Sequence, residues 1–273
     1  MTTQNYEGRK WEHDLVEKTT DALTVEGALQ INVNQEAFTI TMRTPEDDEP
    51  LVRGLLHSEG VIKDVNFSPK ITIQEDEEKG MTIANVTVDS DKLSDGYSNS
   101  RSLLSVASCG ICGKTELEDL KCENEVIDNS IQLSMDQLHG MFDRMNNYQS
   151  AFKESGGSHA AAAFDTDGNI LAVFEDVGRH NAVDKVIGSL IIKGKLKQAV
   201  CLTVSGRISY EIVVKCFKAR IPVLAAVSAP SSLAVDFAKE LGITLLAFCR
   251  KNRATCYANT QRINTNNLKN QAG

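Results

Sequence analysis

From His159 onward the chain alternates between two kinds of segment, and this alternation restricts the fold more than any other feature. HAAAAFD and ILAVFE read as strands joined by a turn at Asp167-Gly168. HNAVDKVIGSLIIKG reads as a helix with Val183, Val186, Ile187 and Leu190 on one face. AVCLTV, IPVLAAVS and ITLLAF read as further strands, with the helices SYEIVVKCFKAR and APSSLAVDFAKELG between them. Parallel strands need a crossover connection, usually a helix. The pattern therefore predicts an α/β unit with a mostly parallel or mixed sheet and helices on its faces.

The first half reads differently. Residues 1–20 are polar and are expected to be a flexible arm. Ala22 to Met42 reads as two strands around Asn34-Gln35, and Ile71 to Asp89 as a second hairpin. Between them, TPEDDEPLVRGLLHSEG predicts a helix with Thr44 as N-cap, Pro45 at the first position and Gly60 as the stop; Pro50 is expected to shorten or kink it. Ser134 to Gly157 predicts one long helix capped by Ser134. The division is thus an arm over 1–20, a β-rich acidic α+β domain over 21–130 that ends in a cysteine loop, and an α/β domain over 131–273.

Charge follows the same division. Residues 1–150 hold 13 Lys and Arg against 28 Asp and Glu, and residues 151–273 hold 16 against 9, within a net charge of -8. The acidic half is unsuited to nucleic acid or to a membrane surface, and the basic half suits an anionic ligand. No apolar run approaches the roughly 18 residues of a membrane span, and the polar first residues do not resemble a secretory signal. A cytoplasmic protein is expected. Seven cysteines at irregular spacing fit a reducing compartment.

In open α/β sheets, ligands gather at the carboxyl ends of strands. Here those ends run into Asp176-Val177-Gly178-Arg179-His180-Asn181, Ser205-Gly206-Arg207, Ser228-Ala229-Pro230-Ser231-Ser232 and Cys249-Arg250-Lys251-Asn252-Arg253. Glycine lets backbone N–H groups approach a ligand, a helix start adds unpaired donors, and arginine adds a fork that suits phosphate. Together these turns predict a pocket for a phosphate-rich anion. Neither a P-loop nor a G-x-G-x-x-G motif is present.

SVASCGICGK, Ser105 to Lys114, carries the other chemistry. Cys109 and Cys112 could supply half of a zinc site, but there is no second C-x-x-C, and Cys122, Cys201 and Cys216 read as small core residues. They could exchange electrons as a disulfide, although a thioredoxin-like pair stands near the start of a βαβ unit. They could also carry sulfur. Gly110 and Gly113 bare the thiols, while Lys114 and a following helix start favour thiolate. His180 reads as a proton carrier or a helix-end hydrogen bonder, and His159 as structural.

The motifs TPEDDEPLVRGLLHSEG, SCGICGK, SGGSH, EDVGRHNAVDKVIG, SGRISYE, IPVLAAVSAPSSLA and FCRKNR resemble those of the formate dehydrogenase accessory sulfurtransferases, the FdhD/NarQ family. The resemblance runs from about Leu23 to Tyr257. It departs from the usual pattern at Asn34-Gln35, in place of Asn-Gly, and at Gly54-Leu55-Leu56, in place of Gly-Phe-Leu. It implies a cytidine-deaminase-like C-terminal fold and a homodimer. It implies a cytoplasmic sulfurtransferase that takes a cysteine persulfide from a cysteine desulfurase. The sulfur passes to the bis(molybdopterin guanine dinucleotide) molybdenum cofactor of formate dehydrogenase. Cys109 matches the persulfide position and Cys112 its companion. Phe248, Cys249, Arg250, Lys251, Asn252 and Arg253 match the cofactor-binding segment near the guanine end. Arg179 and Arg207 join them on chemical grounds alone. The alternative is an escort that binds the cofactor without sulfur chemistry.

Overall fold

Residues 1–20, expected as a flexible arm, carry regular structure. Strands β1 (Thr3–Glu12) and β2 (Leu15–Thr24) pair antiparallel over their whole length, turning at His13, whose φ is 53°. Cross-strand pairs such as Trp11 with Val16 and Lys10 with Glu17 account for it, since neighbours on a pleated surface support pairing that local polarity does not forbid. The hairpin stays outside the core, and Trp11 at its tip is 69% exposed. The computed structural model describes residues 1–94, 127, 130–250 and 253–264.

A four-stranded sheet follows, ordered β4-β3-β6-β5, from β3 (Gly27–Val33), β4 (Glu36–Arg43), β5 (Lys70–Asp76) and β6 (Met81–Thr87). Asn34 and Gln35 both have positive φ, 49° and 69°, as a two-residue hairpin turn of matching twist requires. Leu29, Ile31, Val33, Ala84 and Val86 are buried against Leu51, Val52 and Leu56 of helix α1 (Asp48–Ser58). The helix starts later than predicted. Thr44 does not cap it, because its hydroxyl accepts the Val177 N–H at 3.0 Å. Pro50 falls in the first turn of α1, where its missing N–H costs nothing, so no kink is needed.

The C-terminal half forms a six-stranded mixed sheet with the order β13-β12-β11-β10-β8-β9. Its strands are β8 (His159–Phe164), β9 (Ile170–Asp176), β10 (Cys201–Val204), β11 (Val223–Ala226), β12 (Thr244–Arg250) and β13 (Arg253–Ala258). β10, β11 and β12 are parallel; β8, β9 and β13 join antiparallel. Alternate residues feed two cores. Ala161, Ala163, Leu202, Leu224 and Leu245 face helices α4 (Arg179–Ile192), α5 (Tyr210–Lys218) and α6 (Ser232–Glu240). Ala160, Ala162, Phe164, Cys201, Val223 and Leu246 face α2 (Met135–Asn147), through Leu138, Met141, Phe142 and Met145. A short pair, β7 (Leu133–Ser134) with β14 (Ile263–Asn264), borders α2.

The predicted helix over 134–157 is two helices. Ser134 caps the first, with Gln137 closing the reciprocal bond. It ends at Asn147, and α3 (Ser150–Ser155) begins anew. The Glu175 carboxylate on β9 explains the break. It accepts the N–H groups of Ala151 and Phe152 at 2.8 Å each, so they do not continue the first helix.

The two sheets are joined through α1 and α4. A Cβ on Gly54 would lie 1.9 Å from the Asp184 carbonyl oxygen, and one on Gly188 would lie 1.9 Å from that of Pro50. The helix backbones touch there, and only glycine fits. This explains why α4 is buried from Asn181 to Leu190 on all sides rather than along one face. Two buried ion pairs flank the contact. Asp176 and Lys185 meet at 2.9 Å, and Asp176 also accepts the N–H groups of Thr44 and Gly178. Asp184 accepts two bonds from Lys215 at 2.8 Å and one from the Ser58 hydroxyl at 2.7 Å. Burial pushes the Asp184 carboxyl up, and Lys215 opposes that shift. Among the described residues, no helix is long and apolar enough to cross a membrane.

Candidate functional site

The parallel strands β10, β11 and β12 bring their carboxyl ends to one edge of the sheet. β9 brings Asp176 there, and the reversed strands β8 and β13 bring His159 and Arg253. With strands about 4.8 Å apart, six of them make an edge about 24 Å long. The loops along it are tied together. Ile208 N–H donates to Ala229 O at 3.1 Å, and Ser231 N–H donates to Ile208 O at 2.9 Å. Phe248 N–H donates to Ser228 O at 3.2 Å, and Arg250 Nε donates to Val227 O at 3.0 Å.

One end of this edge collects guanidinium and imidazole groups. A Cβ added to Gly206 would lie 3.2 Å from His159 Nδ1 and 3.5 Å from Arg179 Cβ, so the three groups are neighbours. The Arg179 Nε is buried with no hydrogen-bond partner among the described residues. A buried donor without an acceptor is costly, and a bound anion would supply the acceptor. Arg207 is exposed beside this group. Burial, then the charges of Arg179 and Arg207, hold His159 below its ordinary value. Burial, then Lys215, lower His180 to about 4. His180 Nε2 lies 3.0 Å from Ser209 Oγ and 3.8 Å from Glu211 Oε2. Both imidazoles are therefore neutral near pH 7, leaving the positive charge on the arginines.

The other end is aromatic and cationic. Phe248 stands near it, and Tyr257, further along β13 beside the Leu246–Cys256 pair, brings its ring to within 6.4 Å of the Phe248 ring; each is 37% exposed. Arg250 and Arg253 pair directly across β12 and β13, and both are exposed. Like charges opposite one another in a ladder repel; an anion between them would reverse that. Cys249, named with this segment, turns into the core instead. It is 3% exposed, and burial pushes its thiol up to about 12, so its side chain does not face the edge. Cys201 and Cys216, expected as core residues, are fully buried.

Arg179 and Arg207 therefore stand at one end of the edge, and Phe248, Arg250 and Arg253 at the other. Cys109, Cys112, Lys251 and Asn252 lie outside the described residues, as does Cys122. His159, expected to be structural, joins the arginine cluster. The signal was the strand–turn–strand reading of 159–176 itself, because a hairpin sets its first residue beside its last, and His159 pairs with Asp176.

The chain is similar to known proteins over most of its length. The FdhD/NarQ family model matches residues 24–264. The Sulfur carrier protein FdhD of Picrophilus torridus is 38% identical over 251 residues, covering 89% of this chain and 92% of that protein. Its namesake in Thermoplasma acidophilum is 40% identical, over 90% of this chain and 88% of that protein. A crystal structure described as a formate dehydrogenase accessory protein from Desulfotalea psychrophila shares the fold, with a TM-score of 0.75 at 20% identity, covering 97% of this chain and 100% of that one. By its sequence over nearly the whole length, this chain belongs to the FdhD/NarQ family.

Proposed function

We propose that the chain carries sulfur, as a persulfide on Cys109, from a cysteine desulfurase to the bis(molybdopterin guanine dinucleotide) molybdenum cofactor that formate dehydrogenase requires. The observation that carries this reading is family membership across residues 24–264, with relatives named as sulfur carriers. The Cys109 thiolate attacks the outer sulfur of the donor persulfide. A new S–S bond forms on Cys109, the donor's S–S bond breaks, and the donor leaves as a thiolate, so no oxidant or reductant is consumed. Cys112 assists the onward transfer.

The cofactor is the substrate of delivery, and the basic edge supports its place in the scheme. Arg179, with its unpartnered Nε, and Arg207 take phosphates at one end. Phe248, Arg250, Lys251, Asn252 and Arg253 take the guanine nucleotide at the other. A length of about 24 Å suits an elongated ligand with several phosphates better than a single small anion. In this reading residues 131–273 are the cytidine-deaminase-like cofactor domain, and residues 21–130 are the lobe that ends in the cysteine loop. The protein works in the cytoplasm as a homodimer.

The test is intact-mass spectrometry after incubation with a cysteine desulfurase and cysteine. The expected result is a gain of one sulfur, about 32 Da, that Cys109→Ala abolishes. No adduct on the unmutated chain overturns the reading. A Cys109→Ala, Cys112→Ala double variant that still activates formate dehydrogenase replaces it with the escort role.

A further inference from the structure

Phe248 and Tyr257 stand where an unbroken hairpin would not put them. The pairing of β12 with β13 slips twice. Leu245 pairs with Ala258 and Leu246 with Cys256, which makes Tyr257 an extra residue on β13. Ala247 pairs with Thr255 and Arg250 with Arg253, which leaves Phe248 and Cys249 opposite Ala254 alone. Each slip is a β-bulge, and each carries one of the two aromatic rings of this hairpin. Bulges re-aim side chains and recur beside ligand sites.

The direction of re-aiming is legible at Phe248. Side chains alternate along a regular strand, so Phe248 would share the buried face of Leu246. The bulge gives that face to Cys249 and turns the larger, more apolar ring outward. This arrangement forgoes burial of a phenylalanine. It also holds Phe248 at φ 55°, a left-handed conformation that is a real outlier for a bulky residue. Strain of this kind persists at ligand clamps and similar sites. The rings are tilted by 58° rather than stacked on each other, which leaves ring surface available to a third flat group.

We infer that Tyr257 acts with Phe248 to hold the planar base of a guanine nucleotide, with Arg250 and Arg253 beside it for the phosphates. The inference rests on the reading that this edge binds the nucleotide end of the cofactor. It adds a residue that lies outside the segment 248–253. Aromatic side chains hold bases by stacking, and a ring fixed in advance by its backbone loses little freedom on binding.

Calorimetric titration of the full chain with GDP and with inorganic pyrophosphate tests this. Tyr257→Ala is expected to weaken GDP about tenfold and to leave pyrophosphate within about twofold, while Tyr257→Phe keeps the GDP affinity. Unchanged GDP binding by Tyr257→Ala overturns the inference, as does an equal loss of both probes. If Tyr257→Ala does not fold, the unmutated chain decides. GMP should bind about tenfold more tightly than ribose 5-phosphate, and equal affinities overturn the base-holding role. A wild-type chain that binds neither GDP nor pyrophosphate overturns the cofactor reading along with it. Binding of pyrophosphate without any preference for GDP sinks only the role given to the rings.

Discussion

The seam between the two sheets and the carboxyl edge of the larger sheet draw on the same fourteen residues, EDVGRHNAVDKVIG, and use them in opposite ways. At the seam the motif's buried charged and amide side chains are answered. Asp176, Asn181, Asp184 and Lys185 are buried, and each has named partners within 3.1 Å. At the edge Arg179 keeps an unanswered Nε, and Arg250 faces Arg253. A fastener is complete without a ligand; a binding site is not. Most of this fourteen-residue motif is therefore a fastener, and only Arg179 and His180 turn toward the site.

The largest expected effect tests the fastener. Gly188→Ala puts a methyl 1.9 Å from the Pro50 carbonyl oxygen, and neither helix backbone can give way without disturbing both ion pairs. Overpacking of this kind costs about 3 kcal/mol or more, read as a lowered urea midpoint. A midpoint within about 0.5 kcal/mol of wild type would mean that the helices are not locked together.

Acid distinguishes the two regions by ligand response. His57 at the seam lies 3.2 Å from the Lys218 carbonyl, and burial, then Arg53, lower it to about 4. His180 at the edge is lowered equally. The folded chain resists protonating either one, whereas the unfolded chain accepts the proton near 6.5. Stability is therefore complete above about 6.5 and is lost as pH falls toward about 4. Each histidine removes about 2 kcal/mol by pH 5. In urea titrations His57→Gln should remove one share. Saturating pyrophosphate should shrink the His180 share, because a bound anion favours the imidazolium. If pyrophosphate changes the seam share instead, the assignment of the two regions is reversed.

The smallest effect on stability comes from the edge. Arg207→Met, at an exposed position, should move the urea midpoint by no more than about 0.5 kcal/mol. It should weaken pyrophosphate about tenfold, as loss of a charge-assisted bond does. A loss of stability without a loss of binding would place Arg207 in the scaffold.

The sequence made the larger sheet legible because alternation, turns and helix starts agree there, and it placed the arginine turns at one edge. It could not show contacts between lobes. Thr44 looks like an N-cap until the Val177 N–H, far along the chain, takes its hydroxyl. Ser134 to Gly157 looks like one helix until Glu175 recruits two of its N–H groups. Phe248 reads as an ordinary strand residue because a bulge leaves no mark in hydrophobic periodicity. The hairpin over residues 3–24 lacks an apolar face, and it is apolar patterning that announces a strand.

That hairpin carries the only tryptophan of the chain, Trp11, at its solvent-facing tip. Indole emission therefore reports on water around the arm and is nearly blind to melting of either sheet. The same placement makes it a built-in optical probe for anything that comes to cover the arm, with no label to attach.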